Sequence, residues 1–384
     1  VVHPSHPIPS LPPAGDLETV PVLKALNRDS RALATLKGQA RSIPNQAIPI
    51  DTLALQEAKV SSEIENIVTT QAELFQADLF PDGPQSAAAK EVALYRDALK
   101  LGFQRLHSTQ GLITNGTLIE LYRLLKGRSD GFRKIPGTVL KNESTGNIVF
   151  MPPQDACAII DHMTALERFI NDDNQSDLDP LIKMALIHHQ FESIHPFPDG
   201  NGRIGRILNV LYLTRCDLLD IPILYLSRHI TRNKAKYYQF LQAVRDTGHW
   251  QDWIIFMLNA VAETSVVTLQ FIDGIHRQMA SVKHRMRTEL PKRYSQDLLN
   301  NLFRHPYTRI EYVQRDLGLT RQTASRYLDE LTKHGFVQKH RAGTSNYYIN
   351  VNLVRLFMEL TGDGRGTGGQ VGLAEREHAV QLHG

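Results

Sequence analysis

The chain has 384 residues, 43 Lys and Arg against 40 Asp and Glu, and a hydrophobic share of 42%. These values allow a sizeable core and two or three domains, and they exclude wholesale disorder, a collagen-like repeat and a disulfide-stapled miniprotein. The net charge of +3 conceals an asymmetry, because residues 277–350 hold 14 Lys and Arg against 6 Asp and Glu. A basic module therefore follows a mildly acidic body, which suits an acidic partner such as nucleic acid or simply a solvated basic face. Cys157 and Cys216 are the only cysteines, which fits a reducing, cytoplasmic setting and argues against a Cys-built zinc site. The most apolar run, 253–262, lies between Asp252 and Glu263 and reads as too short to span a bilayer, so no membrane association is expected. The N-terminus lacks the charged-then-apolar pattern of a signal peptide.

In chain order, 1–16 reads as an extended tail, rich in proline at Pro4, Pro7, Pro9, Pro12 and Pro13. An N-terminal helical extension is expected over 17–110. Its helices fall at 17–36, at 52–74, where Leu53, Leu55, Val60, Ile64 and Val68 recur near helical spacing, and at 86–106. A further helix, 115–125, has Asn115 as its expected cap and Gly127 near its stop. Two β-prone runs, 138–141 and 148–151, flank the turn-forming Asn142-Glu-Ser-Thr-Gly-Asn147 and predict a hairpin ended by Pro152-Pro153. Helices are expected again at 154–171, 179–193, 201–216, 233–247 and 250–286. Residues 290–350 read as a separate small module. Its helices are 298–303, 309–317 and 321–334, the last capped by Thr320, and two strands follow around Ala342-Gly-Thr-Ser345. The glycine-rich 362–384 reads as a flexible tail.

One motif carries chemistry: His195-Pro-Phe-Pro-Asp-Gly-Asn-Gly-Arg-Ile-Gly-Arg206. An apolar helix runs into a proline-broken loop, and Gly200-Asn201-Gly202 opens a new helix. Glycines there let backbone N–H groups approach a ligand at a helix N-terminus, which makes an anion cradle. The Asn201 side chain can add an amide. Arg203 and Arg206, three apart, present both guanidiniums to one region. Asp199 supplies a hard oxygen suited to Mg²⁺ beside phosphates. His195 can take a proton near pH 7, and Phe197 reads as the apolar anchor of the loop. Together these are the parts of a phosphoryl-type transfer site. His188 and His189 on the preceding helix read as packing or supporting residues.

The motif resembles, without departure, the signature His-x-Phe-x-Asp/Glu-Gly-Asn-Gly-Arg-x-x-Arg of the Fic family. The resemblance implies a mainly α fold: a Fic-type helical core over 111–286 with a β-hairpin flap, plus a small C-terminal winged helix over 290–350. It implies a nucleotidyltransferase, a protein adenylyltransferase that moves AMP from ATP to a Tyr, Thr or Ser hydroxyl of target proteins and of itself. His195 would be the catalytic base. Pro196, Phe197, Pro198, Asp199, Gly200, Asn201, Gly202, Arg203 and Arg206 would line the ATP site with His195, and Asp199 would hold Mg²⁺ or Mn²⁺. Asn233 matches the position of the family's adenine-side contact. The hairpin at 137–151 matches the flap along which a protein substrate binds. Ser61-Ser-Glu-Ile-Glu-Asn66 matches the inhibitory pattern Ser/Thr-x-x-x-Glu-Gly/Asn within 61–66. It implies that Ser61, Glu65 and Asn66 form a brake, with Glu65 reaching Arg206 in the ATP site. Two other readings remain open. The same site could remove AMP, or the protein could be a nucleotide-sensing, DNA-binding regulator acting through 290–350, where Arg321, Gln322, Thr323, Ser325 and Arg326 begin the recognition helix. A homodimer and a protein-interaction role for the winged helix are equally consistent with the sequence.

Overall fold

The two helices that flank the motif are buried on nearly every face, and the remaining elements wrap around them. The computed structural model describes residues 7–43, 45–70, 73, 74, 77, 79, 85–141, 145–342 and 345–361. Its first part contributes α1 (Val20–Ala40), α2 (Ala47–Ile64), α3 (Ala87–Ser108) and α4 (Asn115–Lys126). A short hairpin, β1 (Leu140–Lys141) and β2 (Ile148–Phe150), comes next. Six helices follow: α5 (Ala156–Asn171), α6 (Pro180–Ile194), α7 (Asn201–Arg215), α8 (Ser227–Arg232), α9 (Lys234–Thr247) and α10 (Gln251–Glu289). The last part holds α11 (Gln296–Arg304), β3 (Tyr307–Thr308), α12 (Ile310–Leu317), α13 (Arg321–Lys333), β4 (Gln338–Ala342), β5 (Ser345–Ile349) and α14 (Val351–Thr361). The chain is thus mainly α, with two small antiparallel sheets.

Every residue of α6 from Leu181 to Ile194 is buried, as is α7 from Arg203 to Leu213. A helix enclosed on all sides has no solvent stripe, which is why neither shows an amphipathic pattern. α3 crosses α7 at Gly102, where a Cβ would lie 2.8 Å from Leu211 Cδ1. Trp253 Nε1 donates to the Ala185 carbonyl at 2.8 Å and pins α10 to α6. Proline-rich residues 7–16 do not run free: the Pro9 carbonyl accepts from Gln190 Nε2 at 2.9 Å.

Several elements depart from the sequence expectation. The helix expected over 52–74 spans Ala47–Ile64 instead. Asn66 adopts a left-handed φ of 62°, and the Ile67 N–H returns to the Ser62 carbonyl at 3.0 Å. That closure is a Schellman-type helix end, so Glu65 sits at a terminus and not in mid-helix. The cap of α4 is Thr114, whose hydroxyl accepts from the Thr117 N–H at 3.1 Å; the Asn115 N–H instead donates to Glu167 Oε2. Gly127 does end α4, with φ 60°. The apolar run bounded at Glu263 belongs to a helix that continues to Glu289, long and apolar enough by length and composition to cross a membrane. Here 56% of its apolar window is buried within the protein. The hairpin pairs Leu140 with Phe150 and Lys141 with Ile148; residues 142–144 of its turn lie outside the described residues, as does the tail 362–384.

The basic module folds as helix, strand, two helices and a hairpin, with sheet order β3-β5-β4; the strand β3 was not among the expected elements. The module does not stop at Asn350. α14 packs back on α10, with Phe357 and Phe271 ring centroids 4.9 Å apart. Leu353, Val354 and Phe357 carry its buried face at helical spacing, a signal that was present in the sequence.

The module is fastened to α2. Asp51 accepts from Arg304 Nε at 2.6 Å and pairs with Lys100 Nζ at 2.5 Å. Burial alone would raise the Asp51 carboxyl, but Lys100 and Arg304 outweigh it and hold it below the usual carboxylate range. A depressed folded-state pKa adds stability above the unfolded value of about 4, and that stability is lost as pH falls through the folded value. Asp51→Asn is therefore expected to cost about 1–2 kcal/mol in urea unfolding at pH 7, with the difference shrinking towards pH 3. A deficit that stays constant with pH would remove the ion pairs as its cause.

Candidate active site

α6 ends at His195, which takes a left-handed conformation of φ 49° and ψ 59°. A non-glycine residue keeps that conformation only when its surroundings impose it. Arg133 imposes it. Its Nε donates to the His195 carbonyl at 2.8 Å, its Nη2 to the carbonyls of Ile194 at 3.3 Å and Pro153, and its backbone N–H to the Pro196 carbonyl at 2.8 Å. One arginine, 5% exposed, thereby ties the motif loop to the base of the hairpin. Nothing in the sequence pattern marked Arg133.

The loop is fixed from inside as well. Phe197 is fully buried and stacks on Tyr122, centroids 4.3 Å apart and planes within 9°. Asn201 Oδ1 accepts from the Phe197 N–H and its Nδ2 donates to the Phe197 carbonyl, both at 2.8 Å. The expectation that the Asn201 side chain serves a ligand is corrected here: its amide closes the loop, and only its backbone N–H faces the cradle. Gly200 enters α7 with φ 77°. Asn201, Gly202 and Arg203 lead the helix, where backbone N–H groups have no helical acceptor and positive potential is greatest. Pro196 is buried, and Pro198 and Asp199 are exposed on the loop's outer side.

The charged side chains form two connected groups. In the first, Asp199 pairs with Lys126 Nζ at 2.7 Å and accepts from the Gly200 N–H at 2.6 Å. Partial burial would raise this carboxyl, but Lys126 outweighs it and holds it low. Lys126 also reaches Glu91 at 2.9 Å, and Arg203 Nη1 donates to the same Glu91 oxygen at 2.6 Å. Glu91 and Lys126 were missed by the sequence reading. In the second group, Arg206, 2% exposed, donates from Nε to Ser61 Oγ at 2.7 Å. Its Nη2 donates to the Ser61 carbonyl at 3.0 Å and to Glu65 Oε1 at 2.9 Å. A Cβ built on Gly202 would fall on Glu65 Oε1 and on Arg206, so the Glu65 carboxylate lies directly over the cradle. Asn233, at the α8–α9 junction, turns its amide to the His229 carbonyl at 3.0 Å. Its neighbour Lys234 donates to the Ile64 carbonyl at 2.9 Å, which places that junction against the end of α2.

The imidazoles sort by environment. His188 is enclosed by Tyr237 at 2.9 Å, Asn209 at 3.1 Å and the Trp253 ring, and burial pushes it down to about 3. His189 Nε2 donates to the Leu241 carbonyl at 3.2 Å. Both are packing residues. Burial, with the cations of Arg245 and Arg133, pushes His195 down to about 4, so it is neutral at pH 7 and free to accept a proton. Behind the motif, Glu192 is raised to about 7 by burial, and its Oε1 has no hydrogen-bond partner.

Comparison with known proteins agrees with this geometry. Residues 23–104 match the Fic/DOC family N-terminal domain, 112–213 the Fic/DOC family domain, and 278–353 the C-terminal domain of SoFic-like protein adenylyltransferases. The chain thus carries a Fic/DOC family domain with its N-terminal and SoFic-like C-terminal companion domains. It is 25% identical over 258 residues to the protein adenylyltransferase Fic of Drosophila ananassae, covering 64% of this chain and 49% of the relative. It is 30% identical over 168 residues to that of Drosophila yakuba, covering 44% and 32%. The chain thus matches 32% to 49% of the length of these curated relatives. Among solved structures, a Fic family protein from Desulfovibrio desulfuricans G20 superposes with a TM-score of 0.54 at 19% identity, covering 88% of this chain and 98% of that one. Fic-1 of C. elegans superposes at 0.51 with 21% identity, covering 67% and 74%.

His195 is expected to remain neutral down to about pH 5 in NMR titration of the ring. Because the folded state binds this proton more weakly than the unfolded state, folding stability rises with pH between about 4 and about 6.5 through this group. Arg245→Gln should move the titration upward; an unshifted midpoint would show that the Arg245 charge does not act on His195.

Proposed function

We propose that the protein is an adenylyltransferase that moves AMP from ATP to a Tyr, Thr or Ser hydroxyl of a protein, itself included, and that Glu65 restrains it. The observation that carries this reading is the Glu65 carboxylate, paired to Arg206 and lying over Gly202. A carboxylate held by a buried arginine at a helix N-terminus stands where a phosphate would otherwise be held.

The chemistry follows from the residues. The neutral His195 imidazole takes the proton of the target hydroxyl. The freed oxygen attacks the α-phosphorus, the bond to the β-phosphate oxygen breaks, and pyrophosphate leaves. The first N–H groups of α7 and Arg203 hold phosphate oxygens as charge shifts to the leaving group. Arg206 would take the terminal phosphate once Glu65 swings away; while Glu65 holds it, ATP seats with its α-phosphate out of line for attack. Asp199 fits a divalent cation, since Mg²⁺ in such sites needs one carboxylate plus phosphate and water oxygens. Its exposed position at the loop and its ionised state support that fit. The cation would neutralise phosphate charge there.

The hairpin suits a protein substrate. Among the described residues the sheet has two strands, so each offers an outer edge to an added strand. Ile148 and Val149 are exposed on it, and Arg133 keeps that edge in register with His195. In the C-terminal module, Arg321 is paired with Glu311 at 2.7 Å and Lys339 with Asp329 at 2.8 Å. These pairs occupy two of the cations that a nucleic acid would meet, while the module keeps its basic excess, and a protein contact is the role favoured here.

The test is label transfer from ATP to protein with Mg²⁺. α-Label should transfer weakly in wild type and at least about tenfold more in Glu65→Gly, with none in Glu65→Gly carrying His195→Ala and no γ-label in any. If Glu65→Gly gains nothing, Glu65 is not the brake, and removal of AMP or nucleotide sensing becomes the better reading. γ-Label would identify a kinase-like donor. A second measurement separates positioning from folding: Arg133→Gln should lower the rate at saturating ATP by about tenfold or more with a smaller change in KM. Unchanged turnover would show that the loop needs no such clamp.

A further inference from the structure

Away from the motif, a half-open cavity of 110 Å³ lies between α2, α8 and α10. It has room for three or four waters at about 30 Å³ each, or for one small organic molecule. Leu53, Val60, Tyr225 and Val267 give it apolar walls.

Its polar groups are unusually short of partners. The Gln56 side chain, 5% exposed, has neither amide atom hydrogen-bonded. The buried Nε of Arg228 has no acceptor. Arg228 and Arg232 stand one helical turn apart on the rim, and among the described residues neither joins an ion pair. Burial and the charge of Arg232 hold Arg228 below the ordinary arginine range. Two acids also face the cavity. Glu63 is tied to Lys59 at 3.0 Å. Glu57 accepts from Tyr95 at 3.1 Å and Ser227 at 2.5 Å through one oxygen, and its other oxygen is unpartnered. Burial raises Glu57 to about 7, so it can hold a proton beside an anion.

The Arg228 guanidinium, whose buried Nε lacks an acceptor, favours an anion, with the exposed Arg232 beside it at the mouth; the unpartnered buried amide favours a hydrogen-bonding group, and the walls favour an apolar body. We propose that this cavity binds a small organic monocarboxylate, its carboxylate held by Arg228, Arg232 and Gln56 and its apolar body set against Leu53, Val60 and Val267. The ligand would touch α2 at Leu53, Gln56 and Val60, in the two turns that lead to Ser61, and so brace the helix end that reaches Arg206. This consequence rests on the autoinhibition proposed above; the binding does not.

The test uses the full chain, titrated with sodium butyrate and sodium benzoate and followed by amide NMR shifts and calorimetry, with chloride and sulfate as separate arms. Saturable carboxylate binding is expected, weakened about tenfold or more in Arg228→Gln and in Gln56→Leu, with circular dichroism and melting confirming that both variants are folded. No saturation by about 10 mM overturns the proposal, as does undiminished affinity in Arg228→Gln. Chloride or sulfate binding as tightly as benzoate overturns the organic part of it. For the bracing, butyrate should slow α-label transfer by wild type and leave Glu65→Gly unaffected. An equal effect on both, or none, overturns the bracing and leaves the binding standing.

Discussion

The buried guanidinium of Arg206 is the constraint around which the rest is arranged. Taking such a charge out of water costs several kcal/mol, and the cost is offset only when its donors are met by well-placed acceptors. Here the acceptors are Ser61 Oγ, the Ser61 carbonyl and Glu65 Oε1, all from the end of α2. The motif's last arginine therefore depends on a helix far away in sequence. That helix depends in turn on stopping at Ile64, since a continuous helix through 74 would carry Glu65 as a mid-helix residue. The Asn66 turn is what presents it. An interaction of this kind contributes modestly to stability and strongly to state: a ligand oxygen of equal charge can replace the Glu65 carboxylate without leaving Arg206 unpaired.

The rest of the site is held by interactions that never touch a ligand. Arg133 caps three successive carbonyls of the loop, Asn201 closes the same loop across Phe197, and Tyr122 stacks beneath it. These fix the left-handed His195 and leave the first N–H groups of α7 pointing outward. Burial keeps the imidazole neutral, helped by the charges of Arg245 and of Arg133, the residue that holds the loop. Geometry and proton affinity are thus set by shared residues, and preorganisation of this kind avoids reorganisation at the moment of reaction.

α2 is the meeting point of three parts of the chain. Its end pairs with the motif, its middle lines the cavity beside α8 and α10, and its start is clamped through Asp51 to Lys100 and to Arg304 of the C-terminal module. A change at any of these contacts bears on the same rigid rod, which gives the module and the cavity a physical route to Arg206 without a long relay of side chains.

Read from residues alone, the motif, twelve of the helices and the hairpin were legible, because each is written in local spacing: glycines at a helix start, apolar periodicity, turn residues between β-prone runs; the short α8, β3 and the closing α14 were not read. His195, Phe197, Asp199, Gly200, Gly202, Arg203 and Arg206 lie in one site as their twelve-residue spacing required, and Glu65 joined them through a family resemblance. The sequence did not disclose that Asn201 closes the loop, that Arg133 clamps it, that Glu91 and Lys126 organise Arg203 and Asp199, or that the end of α2 falls at Ile64. The Arg133 clamp, the Arg203–Glu91 pair and the Arg206–Glu65 pair join residues 62, 112 and 141 apart, and no local pattern encodes which distant acceptor a buried guanidinium will find; the Asn201 closure and the α2 end are local, four and five residues apart, but their residue types fit other partners equally well. Chemistry of the reacting groups was determined by the sequence; which of them are free, paired or shielded was decided only by the packing that removed them from water.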